Sequence, residues 1–285
     1  MDYDNQFLFY KNPLDEQHVP DSTLLDILIS YNQIKTLFGE EFHNILKQIG
    51  NQVMNIPRMG STNELLDKYR KSDGFENLLK NMKQLAVKIT ENFPKNYISY
   101  LDSFYRYYSE LQIPFYLSQL LEIKKITFQP KNIGNNGKSC DNLIDTKLGK
   151  IFVEITSINT QNTKNIPTKI LDIFEEKGQE QLGNNTGILG IDITASGYQT
   201  FDKSTKKIDV EFPMKDAIFK EVKKQLQKEE NEHILAVIIM ENTITTKNNR
   251  PQSRWGLTIK ANEKHPLGET FDNLINASNN TTRSV

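Results

Sequence analysis

From Asp21 to Lys125 the apolar positions recur at intervals of three and four. Leu24, Leu25, Leu28, Tyr31, Ile34, Leu37 and Phe38 trace one such stripe, the spacing of a helix with one face buried. Ser61-Thr62-Asn63-Glu64 has the form of a capping box ahead of Leu65 and Leu66. Gly74 and Pro94 punctuate the chain beyond it. Tyr97, Tyr100, Phe104, Tyr105, Tyr107 and Tyr108 then crowd into the stretch from Tyr97 to Leu121. Such a stripe reads as bundle core, with stacking on unpaired bases as the alternative.

After Lys125 the period shortens. Three β-rich runs, Ile126–Gln129, Ser139–Ile144 and Lys150–Ser157, predict strands. Next comes a helix from Pro167 to Leu182, with proline suited to its first turn and Gly183 to its end. Beyond it the pattern predicts a strand at Gly187–Thr194, a helix at Pro213–Glu230, and strands at His233–Glu241 and Arg254–Lys260. The tail after Asn276 is expected to fray. This alternation predicts an α/β domain over residues 101–285, a mixed central sheet flanked by helices. Residues 1–100 form an N-terminal helical region.

Composition narrows the class. The chain has 285 residues, 37% hydrophobic and 25% charged, which is globular usage. The longest apolar run, Ile234 to Met240, is too short to span a bilayer, and the acidic, polar start Met1-Asp2-Tyr3-Asp4 is unlike a secretory leader. A single cysteine, Cys140, excludes an internal disulfide and suits a reducing, cytoplasmic setting. Its four histidines are never at zinc-ligand spacing. Net charge is −1, so the whole molecule is no electrostatic magnet for polyanions. Between Ile123 and Lys150, however, six lysines face two aspartates. That strip is either a solvated hairpin or a set of phosphate contacts.

Asn132 to Ser139 nearly spells a phosphate-binding loop, ending Gly137-Lys138-Ser139. Asn132 stands where the pattern needs its first glycine, and no helix of useful length fits behind Ser139. Nucleotide hydrolysis remains as a lesser alternative on this segment.

The chemistry concentrates in Asp141-Asn-Leu-Ile-Asp145-Thr-Lys-Leu-Gly149-Lys-Ile-Phe-Val-Glu154. Two β-rich arms around a glycine turn read as a hairpin. Folding it about Lys147 sets Asp141 opposite Val153 or Glu154. Like charges facing each other across strands repel by about 0.2–1 kcal/mol, and a hard divalent cation between them removes that penalty. Glu154 also sits in an otherwise apolar strand and needs a partner; a salt-bridged hairpin acid would satisfy the same pattern. Asp145 is assigned to the turn, and Cys140, alternating away from Asp141, receives no catalytic role.

The order helix, strand, strand, strand, helix, strand, with Asp141 on the second strand and Glu154 on the third, resembles the PD-(D/E)XK nuclease superfamily, the restriction-endonuclease-like fold, over roughly residues 100 to 195. Thr156 departs from it, occupying the position where the family's lysine is expected. In some members that lysine lies on the following helix. Here Ile170, Ile173, Phe174, Lys177 and Gln181 share a helical face, so Lys177 either serves the site or extends past the stripe to solvent.

The resemblance implies an endodeoxyribonuclease of restriction or phage-defence type using Mg²⁺ or Mn²⁺. Asp141, Glu154 and the backbone carbonyl of Ile155 would hold the metal, and Lys177 with Gln181 would act on water or phosphate. Glu110, on the helix before the first strand, would be an additional metal-shell acid. Lys124, Lys125, Lys131, Lys138, Asn159 and Asn162 would contact nucleic acid, DNA ahead of RNA. A homodimer is compatible with this scheme. A catalytically silent member that binds nucleic acid or a partner is the other reading.

Overall fold

Each helix forms where the three-and-four spacing runs, and each main strand where it stops. A computed structural model describes residues 32–50, 65–131, 139–158, 163–196, 198–202, 207–247 and 250–282. The stripe before residue 32, the capping box at 61–64, the loop 132–138 with Lys138, and Asn159 and Asn162 lie outside these residues.

In the N-terminal part, α1 (Asn32–Phe38), α2 (Glu40–Gly50), a short helical stretch at 65–69 and α3 (Phe75–Asn92) lean on α4 (Ile98–Leu120). Phe42, Leu46, Leu78, Met82 and Ile89 are buried against Leu101, Phe104, Tyr105 and Tyr108 of α4. The aromatic stretch is therefore core. Phe104 meets Phe38 and Phe42 with ring centroids 5.2 Å apart in both pairs.

The strands are β1 (Ile123–Phe128), β2 (Asn142–Thr146), β3 (Gly149–Ser157), β4 (Gly187–Asp192), the hairpin β5 (Tyr198–Asp202) and β6 (Lys207–Glu211), β7 (Ile234–Lys247) and β8 (Arg250–Ala261). The main sheet has the order β1-β2-β3-β4-β7-β8. β3, β4 and β7 are parallel, and the other neighbours are antiparallel. Mixed pairing is what the alternating pattern predicts, and β4, buried at every position, reads as the continuous apolar run of a strand covered on both faces. One face packs the second half of α4 and α7 (Gly268–Thr282) against Ile151, Val153, Ile155, Ile188 and Ile238. The other packs α5 (Ile166–Ile173, continuing as a π-helical stretch Phe174–Leu182) and α6 (Lys215–Leu226) against Leu189, Ile191, Val237 and Ile239.

Several boundaries differ from expectation. Asp145 belongs to β2, opposite Lys150 and beside Lys125; the turn is Lys147-Leu148, closed by Thr146 Oγ1, which donates to Gly149 O at 2.9 Å and accepts from Leu148 N–H at 3.0 Å. β2 starts at Asn142, so Ser139, Cys140 and Asp141 precede the strand. β7 and β8 form a far longer hairpin than the apolar runs suggested. The tail is helical to Thr282, because Phe271 is buried and Leu267, Leu274 and Ile275 pack beside it under the sheet.

A backbone clamp ties the helical region to β1. Phe128 N–H donates to Asp73 O at 2.8 Å, and Asp73 forms a bridge with Thr127. Gly74 makes this approach possible: its φ is +75°, and a Cβ there would stand 1.9 Å from Phe128 O. Gly74→Ala is expected to destabilise the protein by about 1–3 kcal/mol from backbone strain alone, with the clash adding to it, read as a fall in the denaturant midpoint at unchanged slope. A midpoint equal to the native one would show that the clamp is dispensable.

Candidate active site

The site lies where β1 ends, β2 begins and β3 runs beside β4. Asp141 N–H and the paired Asn142 both engage Val153, with Asp141 N donating to Val153 O at 3.1 Å. Two residues against one is the pattern of a β-bulge, which re-aims a side chain. The result is specific: Asp141 Oδ2 accepts the Ile155 N–H at 2.7 Å. Its carboxylate fills the place that the next carbonyl of β2 would have taken in the ladder, satisfying a donor that burial makes costly to leave open.

Glu154, one residue before that amide, is 1% exposed. Its Oε2 lies 3.6 Å from Lys177 Nζ, while Oε1 is buried without a hydrogen-bond partner. Lys177 does not run out to solvent. Only 18% of its side chain is exposed, and its ammonium donates to Gln181 Oε1 at 3.0 Å. The two polar interruptions of the apolar face are thus brought together beside Glu154. The helix carrying them is widened into π geometry, a form that recurs at functional positions. Within it Gly178 presses its backbone on Ile234, where a Cβ would stand 3.0 Å from Cδ1, and its carbonyl lies 3.1 Å from His233 Nε2.

Glu110 arrives from α4 through a different device. Pro114 has no N–H, so the Glu110 carbonyl four residues earlier loses its helical donor. Asn142 Nδ2 replaces that donor at 2.9 Å, tying α4 to the start of β2 beside Asp141. The Glu110 side chain is fully buried. Its Oε2 accepts from Gln129 Nε2 at 3.2 Å, and Oε1 has no partner. Gln129 also accepts from Asn81 Nδ2 at 3.0 Å and holds φ at +46°, a conformation uncommon outside glycine.

The electrostatics agree with this crowding. Burial first, then the charge of Asp141, pushes the Glu154 carboxyl up to about 9, against the pull of Lys177. Burial and Asp141 hold Glu110 well above the carboxylate range. Asp141 is raised by burial, which the Ile155 amide, Lys177 and Arg106 oppose. Three crowded acids, two of them with an orphaned buried oxygen, share one close ammonium; without a cation their raised carboxyls relieve the charge by keeping protons. Among the described residues no group of three or more His, Cys, Asp or Glu side chains is arranged to hold a metal ion. Asp141 and Glu154, with a backbone carbonyl and water, would form a smaller set of oxygen donors, the kind that Mg²⁺ takes. Cys140 is buried, its thiol pushed up to about 12 by burial and then by Glu154 and Asp141, and it is no nucleophile.

Of the residues named from sequence, Asp141, Glu154, Lys177, Gln181 and Glu110 converge here. Lys124, Lys125 and Lys131 are exposed, and Lys125 pairs with Asp73 rather than with the site's acids. Ser139 leads into β2, so the phosphate-loop pattern lacks the helix that its chemistry requires. Gln129, Asn142, Asn81 and Arg106 went unrecognised; only Asn142 left a trace, because proline at 114 announces an unsatisfied carbonyl at 110. No helix among the described residues is long and apolar enough to cross a membrane. No family model, curated protein or solved structure matches the chain.

Proposed function

We propose that the protein is a metal-dependent nuclease that hydrolyses phosphodiester bonds, with an endodeoxyribonuclease of restriction or phage-defence type as its most specific form. The observation that carries this reading is the pairing of Lys177 with Glu154 beside Asp141. It supplies an acid pair and an ammonium group where the resembled superfamily needs them, although Thr156 fills the usual lysine position.

Asp141, Glu154 and the Ile155 carbonyl would hold one Mg²⁺ or Mn²⁺. When bound, the ion would lower the pKa of a water and offset charge on the phosphate. The remaining work falls to the chain. Asp141 is held by the Ile155 amide, which fixes the direction of its carboxylate. Lys177, steadied by Gln181, presents a positive charge that an incoming phosphate oxygen can share, and a preorganised charge in a site poor in water is worth more than one in solvent. Glu110, fixed by Gln129, would orient water next to Asp141.

The direct experiment is incubation of the pure protein with plasmid, linear DNA and RNA in Mn²⁺, beside Asp141→Asn. Cleavage by the native chain, lost in the variant, is the expected result. Absence of cleavage on every substrate, with Mn²⁺ binding retained, would favour the silent binding protein instead.

A further inference from the structure

Away from the acids, a cleft of about 490 Å³ opens between the 65–73 segment and the outer edge of β1. Lys68 and Lys71 enter it from one side, Lys124 and Lys125 from the other, with Asp73 the acid in its lining. Their charges are not equivalent. Lys125 is paired with Asp73 at 2.7 Å. Lys68 Nζ lies over the rings of Phe115 and Tyr69, 4.4 and 5.6 Å from their centroids. Lys71 and Lys124 have no acidic partner among the described residues. Two ammonium groups with no acidic partner among the described residues thus line one cleft, in a chain whose net charge is −1.

We infer that this cleft is a track for the phosphodiester backbone of a nucleic acid, entering beside the site proposed above. Recognition here is of charge and spacing. The lining offers ammonium groups, which bind phosphate as point charges without reading a base. Position supports a strand in particular. β1 runs from Lys124 directly to Gln129, whose N–H donates to Asp141 O. At about 3.3 Å per residue Lys124 lies roughly 16 Å along the strand from Gln129, the rise of about five nucleotides along a duplex axis at about 3.4 Å each. A small phosphorylated ligand would gain from the cleft alone; a polynucleotide gains from cleft and acidic site together. The Gly74 clamp fixes the two walls relative to each other, so the track is built jointly by the helical region and the sheet.

The inference rests on the hydrolytic reading for its choice of partner, and the test separates the two. Binding of a fluorescein-labelled 30-residue duplex is measured by anisotropy in EDTA over a salt series. Lys71→Glu/Lys124→Glu is compared with Lys80→Glu/Lys83→Glu, an equal charge change on the exposed side of α3. The cleft variant is expected to weaken binding roughly tenfold or more at low salt and to flatten the log–log salt slope by about two. The control pair is expected to leave that slope unchanged. Both pairs are exposed, and circular dichroism verifies their folding. An unchanged slope in the cleft variant, an equal loss in the control pair, or no binding by the native protein would each overturn the proposal. If the native chain binds through the cleft yet cuts nothing with Mn²⁺, the hydrolytic reading fails and the track stands. If it cuts while the slope stays put, the reverse holds.

Discussion

Lys177→Met is expected to lower Mn²⁺-dependent cleavage about 10²–10³-fold, the usual loss when one preorganised group facing developing charge is removed. Methionine keeps an unbranched stem of similar length, so the helix should stay seated and the loss should appear in kcat. A second effect runs in the same direction. Lys177 opposes the burial of Glu154, so without it that carboxyl holds its proton more firmly and competes less well for a cation. The variant should therefore need more Mn²⁺ for half-maximal rate. Arginine at 177 restores charge but brings a planar fork where Gln181 and Glu154 receive a compact ammonium, and should recover the reaction only in part. Native kcat in the methionine variant would remove Lys177 from the mechanism and leave Thr156 with no substitute.

The second large effect concerns stability without metal. The Glu154 carboxyl, pushed to about 9 in the folded chain from an ordinary 4.5, carries a proton there that the unfolded chain releases. Between those values the folded state binds more protons, so stability must fall as pH rises. It is fully present below the unfolded value and lost on passing through the folded one. One such group contributes a slope of up to about 1.4 kcal/mol per pH unit. Glu110 and Asp141, also raised, act with the same sign. In EDTA the thermal midpoint is expected to drop from pH 5 to pH 8. Glu154→Gln, which has no proton to lose, should exceed the native protein at pH 8 and lose that advantage near pH 4. Saturating Mn²⁺ at pH 8 should return the native midpoint upward through binding to the folded form. A native EDTA midpoint that climbs with pH, with the glutamine variant parallel to it, would mean that these acids ionise inside the fold at no cost.

Much of this site was legible because strand alternation and helix periodicity are local rules. Asp141 and Glu154 follow from a hairpin counted about its turn, and Lys177 with Gln181 from steps of three and four along one apolar face. The features hidden in the chain are tertiary. Gln129 looks like any polar residue before a proline, and its role depends on Asn81 lying across from it. The bulge at Asp141 moves the start of β2 without changing any propensity. Within the π-helical stretch Gly178 presses on Ile234, a neighbour more than fifty residues away. β5 lacks a clean alternation and β6, Lys207-Ile-Asp-Val-Glu211, alternates over only five residues, while α7 shows only a sparse stripe, Leu267, Phe271, Leu274 and Ile275, amid asparagines. The mixed sheet with its helical covering, in contrast, follows from the order of periods alone.

Helix α4 belongs to two interiors at once. Its first half closes the helical core through Tyr108 and Leu111, its second half closes the sheet through Ile113 and Leu117, and Glu110 sits at the join. A cut at residue 100 would pass through its first turn and strip the aromatic wall from one piece while laying bare a greasy ridge on the other. The two regions should then melt as one cooperative block, and a protease should find no clean seam between them.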